Sequence, residues 1–331
     1  MKRIIKISDA FITCASSVVG KQEAEGPLGD IFDICDRTDK FGAKTWEQAE
    51  SAMQKKAFSQ LMNKSGMDIE EIGMVFAGDL QNQCVGSSYG LLDFDVPYIG
   101  LYGACSTAVE GLMLSAMTCS AGYADTCVAV TSSHYLAAER QYRSPIEYGA
   151  QRSPTAQWTV TGSAAFAVGR KGDVRISAVM PGIVVEKGIN DASNMGAAMA
   201  PAAANTIYAF FKESGHAPED FDVIATGDLG YEGGKILCEL LASSGLDIRR
   251  QYTDCGALIY DRIKQDKHAG GSGCGCSAVV LASYFYPRLA VGKIRKMLVI
   301  GTGAMMSPSS IQQGLAIPAI GHLIQLEHGR G

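Results

Sequence analysis

This sequence has no excess of basic residues over acidic ones. Its 29 lysines and arginines stand against 34 aspartates and glutamates, which gives a formal net charge of −5 over 331 residues. Proteins that bind nucleic acids neutralise phosphates with a basic surface, so this balance argues against DNA or RNA as the main partner. We therefore expect no nucleic-acid partner.

Long apolar segments are missing as well. Residues 269–287 and 297–326 carry no Asp, Glu, Lys or Arg, but glycine, proline and glutamine interrupt the second stretch and a glycine-rich loop opens the first. A membrane-spanning helix needs about 20 predominantly apolar residues, and neither stretch supplies them. The sequence therefore predicts no transmembrane helix.

The N-terminus lacks a secretory signal, and the cysteines lack a secreted pattern. Lys2, Arg3 and Lys6 are followed by Asp9, and no adequate apolar run comes before Lys21. The ten cysteines show no disulfide framework, and a chain of this length with 47% apolar residues can fill a core without one. We expect reduced cysteines and an intracellular protein.

An internal repeat is the most informative feature that is present. Residues 65–80 match residues 214–229 at an offset of 149, with six of 16 positions identical. Each copy predicts a helix, a short loop, a buried strand and a Gly-Asp turn. Further on, Gly103 and Gly273 each precede an apolar helix and a buried strand. The pattern predicts an α/β fold with two copies of one unit around a pseudo-twofold axis, at residues 1–172 and 173–331.

Cys105 is the first candidate functional residue. It follows a predicted buried strand and Gly103, at the start of an apolar helix. A thiol at a helix N-terminus feels the positive end of the dipole, which lowers its pKa, and the same geometry can bind an anion. A buried structural cysteine is the alternative.

Residues 132–143 form the second candidate site. They contain His134, Glu139, Arg140 and Arg143 and follow a buried strand at its carboxyl end, where ligands bind in α/β sheets. Arginine offers bidentate geometry to carboxylates, so the segment suits a small anionic ligand. A solvated charged loop is the alternative.

The glycine-rich loop at residues 269–277 is the third. Its backbone N–H groups could form an anion-binding nest, and we expect Gly271 and Ser272 to form one wall of a pocket. Close packing of the loop against the sheet is the alternative. Cys274 and Cys276 lack a second pair of ligands, so we expect no metal site.

The segment around Cys105 and the repeat resemble the thiolase and ketoacyl-synthase superfamily, and further motifs resemble the stage V sporulation protein AD family over nearly the whole chain. The motifs are Gly26-Pro-Leu-Gly29, Gly78-Asp-Leu80, Asn82-Gln83, Leu101-Tyr-Gly-Ala-Cys-Ser-Thr107, Ser132-Ser-His134, Ala138-Glu-Arg-Gln-Tyr-Arg143, Glu147-Tyr-Gly149, Thr159-Val-Thr-Gly162, Ala198-Met-Ala-Pro-Ala-Ala-Ala204, Thr226-Gly-Asp-Leu229, Asp254-Cys-Gly256 and Ala269-Gly-Gly-Ser-Gly-Cys-Gly-Cys-Ser-Ala-Val279. The resemblance implies a duplicated αβαβα fold with five layers.

The resemblance also implies a role in sporulation. It implies a component that moves dipicolinic acid (pyridine-2,6-dicarboxylate), or its calcium chelate, into the developing spore and releases it at germination. Its partners would be the membrane proteins of the stage V sporulation A complex, and its place would be the cell interior or the surface of the inner spore membrane. Homodimers are common in the superfamily, and no cofactor is implied.

The sequence departs from the enzymes of the superfamily at the positions that support catalysis. Residues 226–228 stand where ketoacyl synthases of the third type place a catalytic histidine, and residues 271–273 stand near their catalytic asparagine. His268 imitates the His-x-x-Gly motif of thiolases but falls just outside the sporulation family's own string. Without general acid–base help, worth typically about 10²–10⁴-fold, turnover would be poor, so we expect a binding protein without catalytic residues.

Two alternatives stay open. In the first, the chain is an acyl-transferring enzyme with Cys105 as nucleophile and His134 or His268 as base. In the second, it is a structural partner of membrane proteins that retains the fold as a scaffold.

Overall fold

Strands and helices alternate along residues 2–142 and 152–329, the part of the chain that the computed structural model describes. The strands are β1 (Ile5–Lys6), β2 (Phe11–Val19), β3 (Ile34–Cys35), β4 (Met74–Gly78), β5 (Tyr98–Leu101), β6 (Cys127–Ser133), β7 (Trp158–Thr159), β8 (Gly162–Gly169), β9 (Val174–Met180), β10 (Val223–Thr226), β11 (Tyr252–Asp254), β12 (Gly271–Ser272), β13 (Lys296–Ala304) and β14 (Ala319–His328). The α-helices are α1 (Lys21–Ala24), α2 (Trp46–Ser65), α3 (Val85–Leu91), α4 (Thr107–Ser120), α5 (Tyr135–Tyr142), α6 (Met195–Ser214), α7 (Gly230–Ser243), α8 (Cys255–Ile259), α9 (Cys274–Val280), α10 (Tyr286–Ala290) and α11 (Pro308–Gln312).

The sheet shows the predicted duplication directly. Its strand order is β11-β10-β13-β14-β9-β2-β8-β6-β4-β5, with β9 and β2 meeting at the centre. In the first half β4 runs parallel to β5 and β6, while β8 runs antiparallel to β6 and β2. In the second half β10 runs parallel to β11 and β13, while β14 runs antiparallel to β13 and β9. The same unit therefore occurs twice in one chain, as the repeat predicts.

The helices lie in layers on and between the two halves of the sheet. Helix α2 packs on β2, β8 and β6, and helix α6 packs on β14 and β13. Helices α4 and α9 contact each other in the middle, and α4 contacts β6 of the first half as well as β13 and β14 of the second. Most of the cysteines lie buried as free thiols, while Cys14 is half-buried and Cys35 is exposed.

The two outer helices begin and end by the same local rules. Helix α2 begins with a capping box between Thr45 and Gln48, and α6 begins at Asn194, whose side chain accepts from a backbone N–H. Both are 20 residues long and end at a glycine in the left-handed conformation, Gly66 with φ +67° and Gly215 with φ +75°. Such a C-terminal position favours glycine because it lacks a Cβ. The offset of 149 residues in the sequence is therefore the offset between two equivalent helix ends.

No helix in the described part of the chain is long and apolar enough to cross a bilayer. The proposed boundary between residues 172 and 173 falls in the connection from β8 to β9. The division of the chain into two units at that point stays a prediction.

Candidate functional site

A sharp turn between β5 and α4 positions the Cys105 side chain. The backbone leaves β5, passes Gly103 and enters a single 3-10 turn at Ala104–Ser106 before α4 begins. Ala104 has φ +50°, a conformation that residues with a Cβ rarely adopt. The Ser106 hydroxyl donates to the Gly103 carbonyl at 2.6 Å, and the Thr107 hydroxyl donates to the Ala104 carbonyl at 2.7 Å. These bonds hold the turn and fix the direction of the thiol.

Strand β13 of the second half of the chain packs closely against the same turn. A Cβ added at Gly303 of β13 would lie only 2.5 Å from the Gly103 carbonyl oxygen, so no side chain fits at this crossing. The close approach places the Cys105 thiol at the junction between the two halves.

A buried carboxylate from the second half faces Cys105. Asp228 follows β10, and its Oδ2 accepts from the Ser272 hydroxyl at 2.7 Å and from the Gly273 N–H at 3.0 Å. Its Oδ1 accepts from the Thr302 hydroxyl at 2.7 Å. The Ser272 Oγ lies 3.8 Å from the Cys105 Sγ, so this hydroxyl contacts both the thiol and the carboxylate.

This environment raises the pKa of the Cys105 thiol well above its ordinary value. Burial is the largest cause, and the negative charge of Asp228 is the next. Burial also raises the pKa of Asp228, although hydrogen bonds from Cys105, Thr302 and Ser272 oppose that shift. The thiol is therefore protonated at neutral pH. The expectation that a helix N-terminus would lower this pKa is wrong here, because desolvation and a neighbouring carboxylate outweigh the dipole.

A cavity opens beside Cys105. Its volume is about 610 Å³ including the solvent at its mouth, and its walls are mainly apolar. The lining residues are Leu80, Ala104, Cys105, Ala138, Glu139, Tyr142, Thr159, Ala192, Met195, Ser272, Gly273, Ala304 and Met306. Three of the residues singled out in the sequence, Cys105, Glu139 and Ser272, thus meet in one place.

Gly271 and His134, which the sequence also predicts at the site, do not line this cavity. Gly271 pairs with Trp158 in the β7–β12 ribbon, and its carbonyl accepts from the Gln157 side chain at 2.9 Å. His134 is fully buried outside the lining, with Nε2 2.7 Å from the Asp39 carbonyl oxygen and its ring stacked on Trp46 at 5.6 Å. Burial lowers the pKa of His134, so the imidazole is neutral. The structure does not bring His134 to Cys105.

The predicted Arg140 does not line the cavity. It lies on the surface, where its Nη1 is 3.4 Å from Glu47 Oε1 and its side chain is 54% exposed. Arg143 lies outside the described residues. Among the described residues, the Arg152 guanidinium contacts a lining side chain, since its Nη2 donates to Glu139 Oε1 at 2.8 Å.

His268 also lies away from Cys105. Its Nε2 is 2.8 Å from Asp266 Oδ1, and its side chain is 52% exposed in a different cavity. In the part of the chain that the structure describes, the side chains that shift the pKa of the Cys105 thiol belong to Asp228, Ser272 and Cys274. No histidine is among them.

Sequence reasoning missed Asp228 and Arg152 as site residues. Asp228 carried a usable signal, because it closes the second copy of the repeated Gly-Asp turn, directly after a buried strand. Arg152 carried none, since it stands outside every motif.

The architecture is shared with solved condensing enzymes. An OleA variant of Xanthomonas campestris, determined with cerulenin, superposes with a TM-score of 0.61 at 13% identity over 98% of both chains. The 3-oxoacyl-(acyl carrier protein) synthase III of Xanthomonas oryzae superposes with a TM-score of 0.57 at 14% identity, over 97% of this chain and all of that one. At such low identity these likenesses establish the fold alone, and they confirm the thiolase-like architecture that the sequence predicts.

The sequence itself matches a narrower family. The model of the family "Stage V sporulation protein AD" matches residues 2–327. Stage V sporulation protein AD of Bacillus subtilis (strain 168) is 39% identical over 322 residues, which are 97% of this chain and 95% of that protein. The chain therefore belongs to the stage V sporulation protein AD family.

Proposed function

We propose that this protein binds dipicolinic acid in the cavity beside Cys105, without catalysing a reaction, for its uptake into the developing spore and its release at germination. The observation that carries the proposal is the surroundings of the thiol. A protonated Cys105 faces a carboxylate and a hydroxyl, and among its described neighbours there is no imidazole of the kind that activates a nucleophilic cysteine. The cavity is nevertheless open and lined for a small ligand.

The walls suit a flat ring with polar substituents at its edge. Met195, Met306 and Leu80 offer apolar surface to an aromatic ring, and methionine adapts well to such contacts. Thr159 and Tyr142 add hydroxyl groups to the same lining. This mixture of apolar surface and a few polar groups is typical of small-molecule sites.

The charge of the lining favours the calcium chelate over the free dianion. No lysine or arginine is present among the described lining residues, and the Glu139 carboxylate is paired with the Arg152 guanidinium at 2.8 Å, while Asp228 lies just behind Ser272. A dianion brought to this place would be desolvated near the Asp228 carboxylate, which is costly. In the chelate the Ca²⁺ cancels both ligand charges. We therefore propose that calcium enters with the ligand.

Isothermal titration tests this proposal directly. We expect saturable heat with dipicolinate plus equimolar CaCl2, and at least tenfold weaker binding without calcium. Ala138→Phe should weaken binding at least tenfold because it fills the cavity, whereas Ala121→Phe at an exposed position should leave binding unchanged. Absence of heat at millimolar ligand, with and without calcium, would overturn the proposal.

The two arginines of residues 132–143 have separable roles in this test. Arg140→Ala should change the affinity less than twofold, because its guanidinium pairs with Glu47 on the surface. Arg143→Ala stays predicted to weaken binding by tenfold or more. A tenfold loss in Arg140→Ala would show that the surface ion pair contributes to the site.

Acyl transfer through Cys105 is the second candidate, favoured by the likeness of the fold to condensing enzymes. It predicts a mass increase of the intact protein after incubation with acyl-CoA, lost in Cys105→Ser. An unchanged mass with several acyl donors leaves binding as the better account.

We also propose that the protein acts as a homodimer next to the membrane proteins of the stage V sporulation A complex, at the surface of the inner spore membrane. The exposed edge strand β5 supports self-association. Apolar side chains on and beside it are 44–69% exposed, namely Tyr89, Leu92, Ile99 and Tyr102. The opposite edge, β11, has half-buried side chains at Tyr252 and Thr253. An open apolar edge tends to pair with another strand, and a twofold dimer would pair β5 with itself.

Analytical ultracentrifugation checks the dimer. Ile99→Lys should shift the protein from dimer to monomer, since two lysines would face each other across the twofold axis. Val291→Lys, at an apolar residue 68% exposed elsewhere, should leave the dimer intact. A monomeric wild-type protein at micromolar concentration would contradict this assembly.

A further inference from the structure

A second cavity lies across a two-stranded ribbon from the first. Strands β7 and β12 pair in parallel, and Thr159 and Ser272 on this ribbon line the cavity beside Cys105. Trp158 lines the other cavity, whose volume is about 560 Å³ including the solvent at its mouth. The residues around this second cavity are Arg152, Ser153, Ala156, Trp158, Gln265, Asp266, Lys267 and His268.

A buried lysine without an anionic partner lines this cavity. Lys267 is only 7% exposed, and its Nζ lies 3.1 Å from the centroid of the Trp158 ring. Within residues 2–142 and 152–329, no carboxylate forms an ion pair with this amine and no hydrogen bond to it is present. A buried ammonium is costly unless it is paired, and a ring face compensates only part of that cost. The arrangement leaves the positive charge available to a ligand.

The surroundings reinforce this positive character. The Arg152 guanidinium lies 4.8 Å from the Trp158 centroid, and its Nη1 donates to the Gln157 carbonyl at 2.5 Å. Burial and the charge of Arg152 lower the pKa of the Lys267 amine to about 8, while the charges of Glu23 and Asp266 oppose the shift. An incoming anion would offset both the burial of the ammonium group and its repulsion from Arg152.

Both faces of the Trp158 ring are already covered, so it offers no free face for stacking. Tyr135 stacks on Trp158 with ring centroids 3.9 Å apart and an interplanar angle of 4°, and Lys267 covers the other face. A ligand in this cavity is therefore recognised by charge and hydrogen bonding instead of by ring stacking, which distinguishes it from the ligand proposed for the first cavity.

We propose that this second cavity binds a small oxyanion, a carboxylate or a phosphate, through the Lys267 ammonium. The site does not depend on dipicolinate binding beside Cys105. The two cavities are nevertheless linked, because Arg152 donates to Glu139 of the first cavity and lines the second.

The fluorescence of Trp158 gives a local test. The chain has two tryptophans, so Trp46→Phe leaves Trp158 as the single reporter. Potassium phosphate and sodium acetate are titrated separately, with ionic strength held constant by KCl. We expect a saturable fluorescence change with at least one anion, and comparison of the two shows which oxyanion the site prefers.

Substitutions at two lysines then decide whether the response comes from this site. In the Trp46→Phe background, Lys267→Met keeps the aliphatic stem but removes the charge, and it should weaken the response at least tenfold. Lys264→Met removes a lysine whose side chain is 86% exposed and should leave it unchanged. Because Lys267→Met also alters the surroundings of Trp158, the anion-dependent rise in melting temperature is measured as a second readout, and it should disappear as well.

The pH dependence adds an independent criterion. The groups that face the amine are Glu23, Arg152 and Asp266, with His268 at the rim. An oxyanion binds the ammonium form, so affinity should fall at least fivefold between pH 7 and pH 9.5. A response that is equal in Lys267→Met, or absent with both anions, would overturn the proposal, and neither result would bear on dipicolinate binding to the first cavity.

Discussion

The free energy of unfolding should fall by about 1 kcal/mol between pH 6.5 and pH 8, because buried carboxyl groups lose protons in the folded state over this range and outweigh a smaller opposing effect from buried bases. Burial, together with the charge of Asp79, raises the pKa of Glu50 to about 8. Burial also raises the pKa of Glu23 to about 7. In the unfolded chain both groups are already ionised above pH 6. The folded state therefore binds more protons, and stability decreases as pH rises towards each folded-state pKa.

Other shifted groups oppose this slope at the two ends of the window. Burial lowers the pKa of His322 to about 4 and lowers that of His134, so these groups add stability as pH rises through the ordinary histidine pKa near 6.5. The lowered pKa of Lys267 adds stability as pH rises through about 8 towards the ordinary lysine pKa. The carboxyl groups outweigh these gains and determine the sign of the slope.

Glu50→Gln should remove most of this pH dependence. Glutamine resembles the protonated carboxyl group. Gln81 donates to Glu50 Oε2 at 3.0 Å and Ser132 donates to Oε1 at 3.1 Å, so the amide oxygen can keep the bond from Gln81, and the Ser132 hydroxyl can accept from the new NH2 group. Urea denaturation followed by circular dichroism at pH 6.5, 7 and 8 measures the slope. Glu70→Gln, at an exposed position, serves as the control and should keep it. An unchanged slope in Glu50→Gln would show that Glu50 is already ionised in the folded protein at pH 6.5.

Alkylation of Cys105 by iodoacetamide should accelerate about 100-fold between pH 7 and pH 9, roughly tenfold for each pH unit, because only the thiolate reacts. Burial and Asp228 hold the pKa of this thiol well above its ordinary value. An enzyme-type cysteine paired with histidine would react near its plateau already at pH 7. Short reaction pulses followed by peptide mass spectrometry separate Cys105 from the other nine cysteines.

Two substitutions should move this rate in opposite directions. Asp228→Asn removes a negative charge and should raise the rate at pH 7.5 at least threefold. Ser272→Ala removes a hydrogen bond that lowers the thiol pKa and should reduce the rate. A flat pH profile above pH 7 in the wild-type protein would contradict the non-catalytic interpretation, since it would require an activating base within reach of the thiol.

Most of the fold could be predicted from the sequence because it depends on local signals that occur twice. The repeat at an offset of 149 corresponds to two capped helices and two strand ends, and the apolar periodicity of Phe58 and Leu61, or of Ile207 and Phe210, matches their burial. The turn at Cys105 was also predictable, because a glycine that separates a buried strand from an apolar helix marks a change of chain direction, although its positive φ occurs at Ala104 and not at Gly103.

The candidate site was predictable only where it is built from such signals. His134 follows a strand end, as a ligand-binding residue would, but Asp39, 95 residues earlier, and Trp46 at the start of α2 enclose it. Arg140 is drawn to Glu47 on another helix. These pairings depend on how distant segments pack, and no local pattern reports them. Asp228 is different, since its Gly-Asp turn was visible and only its partner across the junction was not.

The meeting of Cys105 with Asp228 and Ser272 at the crossing of Gly103 and Gly303 has a consequence for the integrity of the site. One polypeptide segment contributes the thiol, and another, more than a hundred residues later, contributes its acidic neighbour and hydroxyl cover. If the chain were cut between β8 and β9, each fragment would carry an incomplete cleft. If dipicolinate binds in this cleft as proposed, it would favour reassembly of the two fragments, and its binding would depend on the concentrations of both.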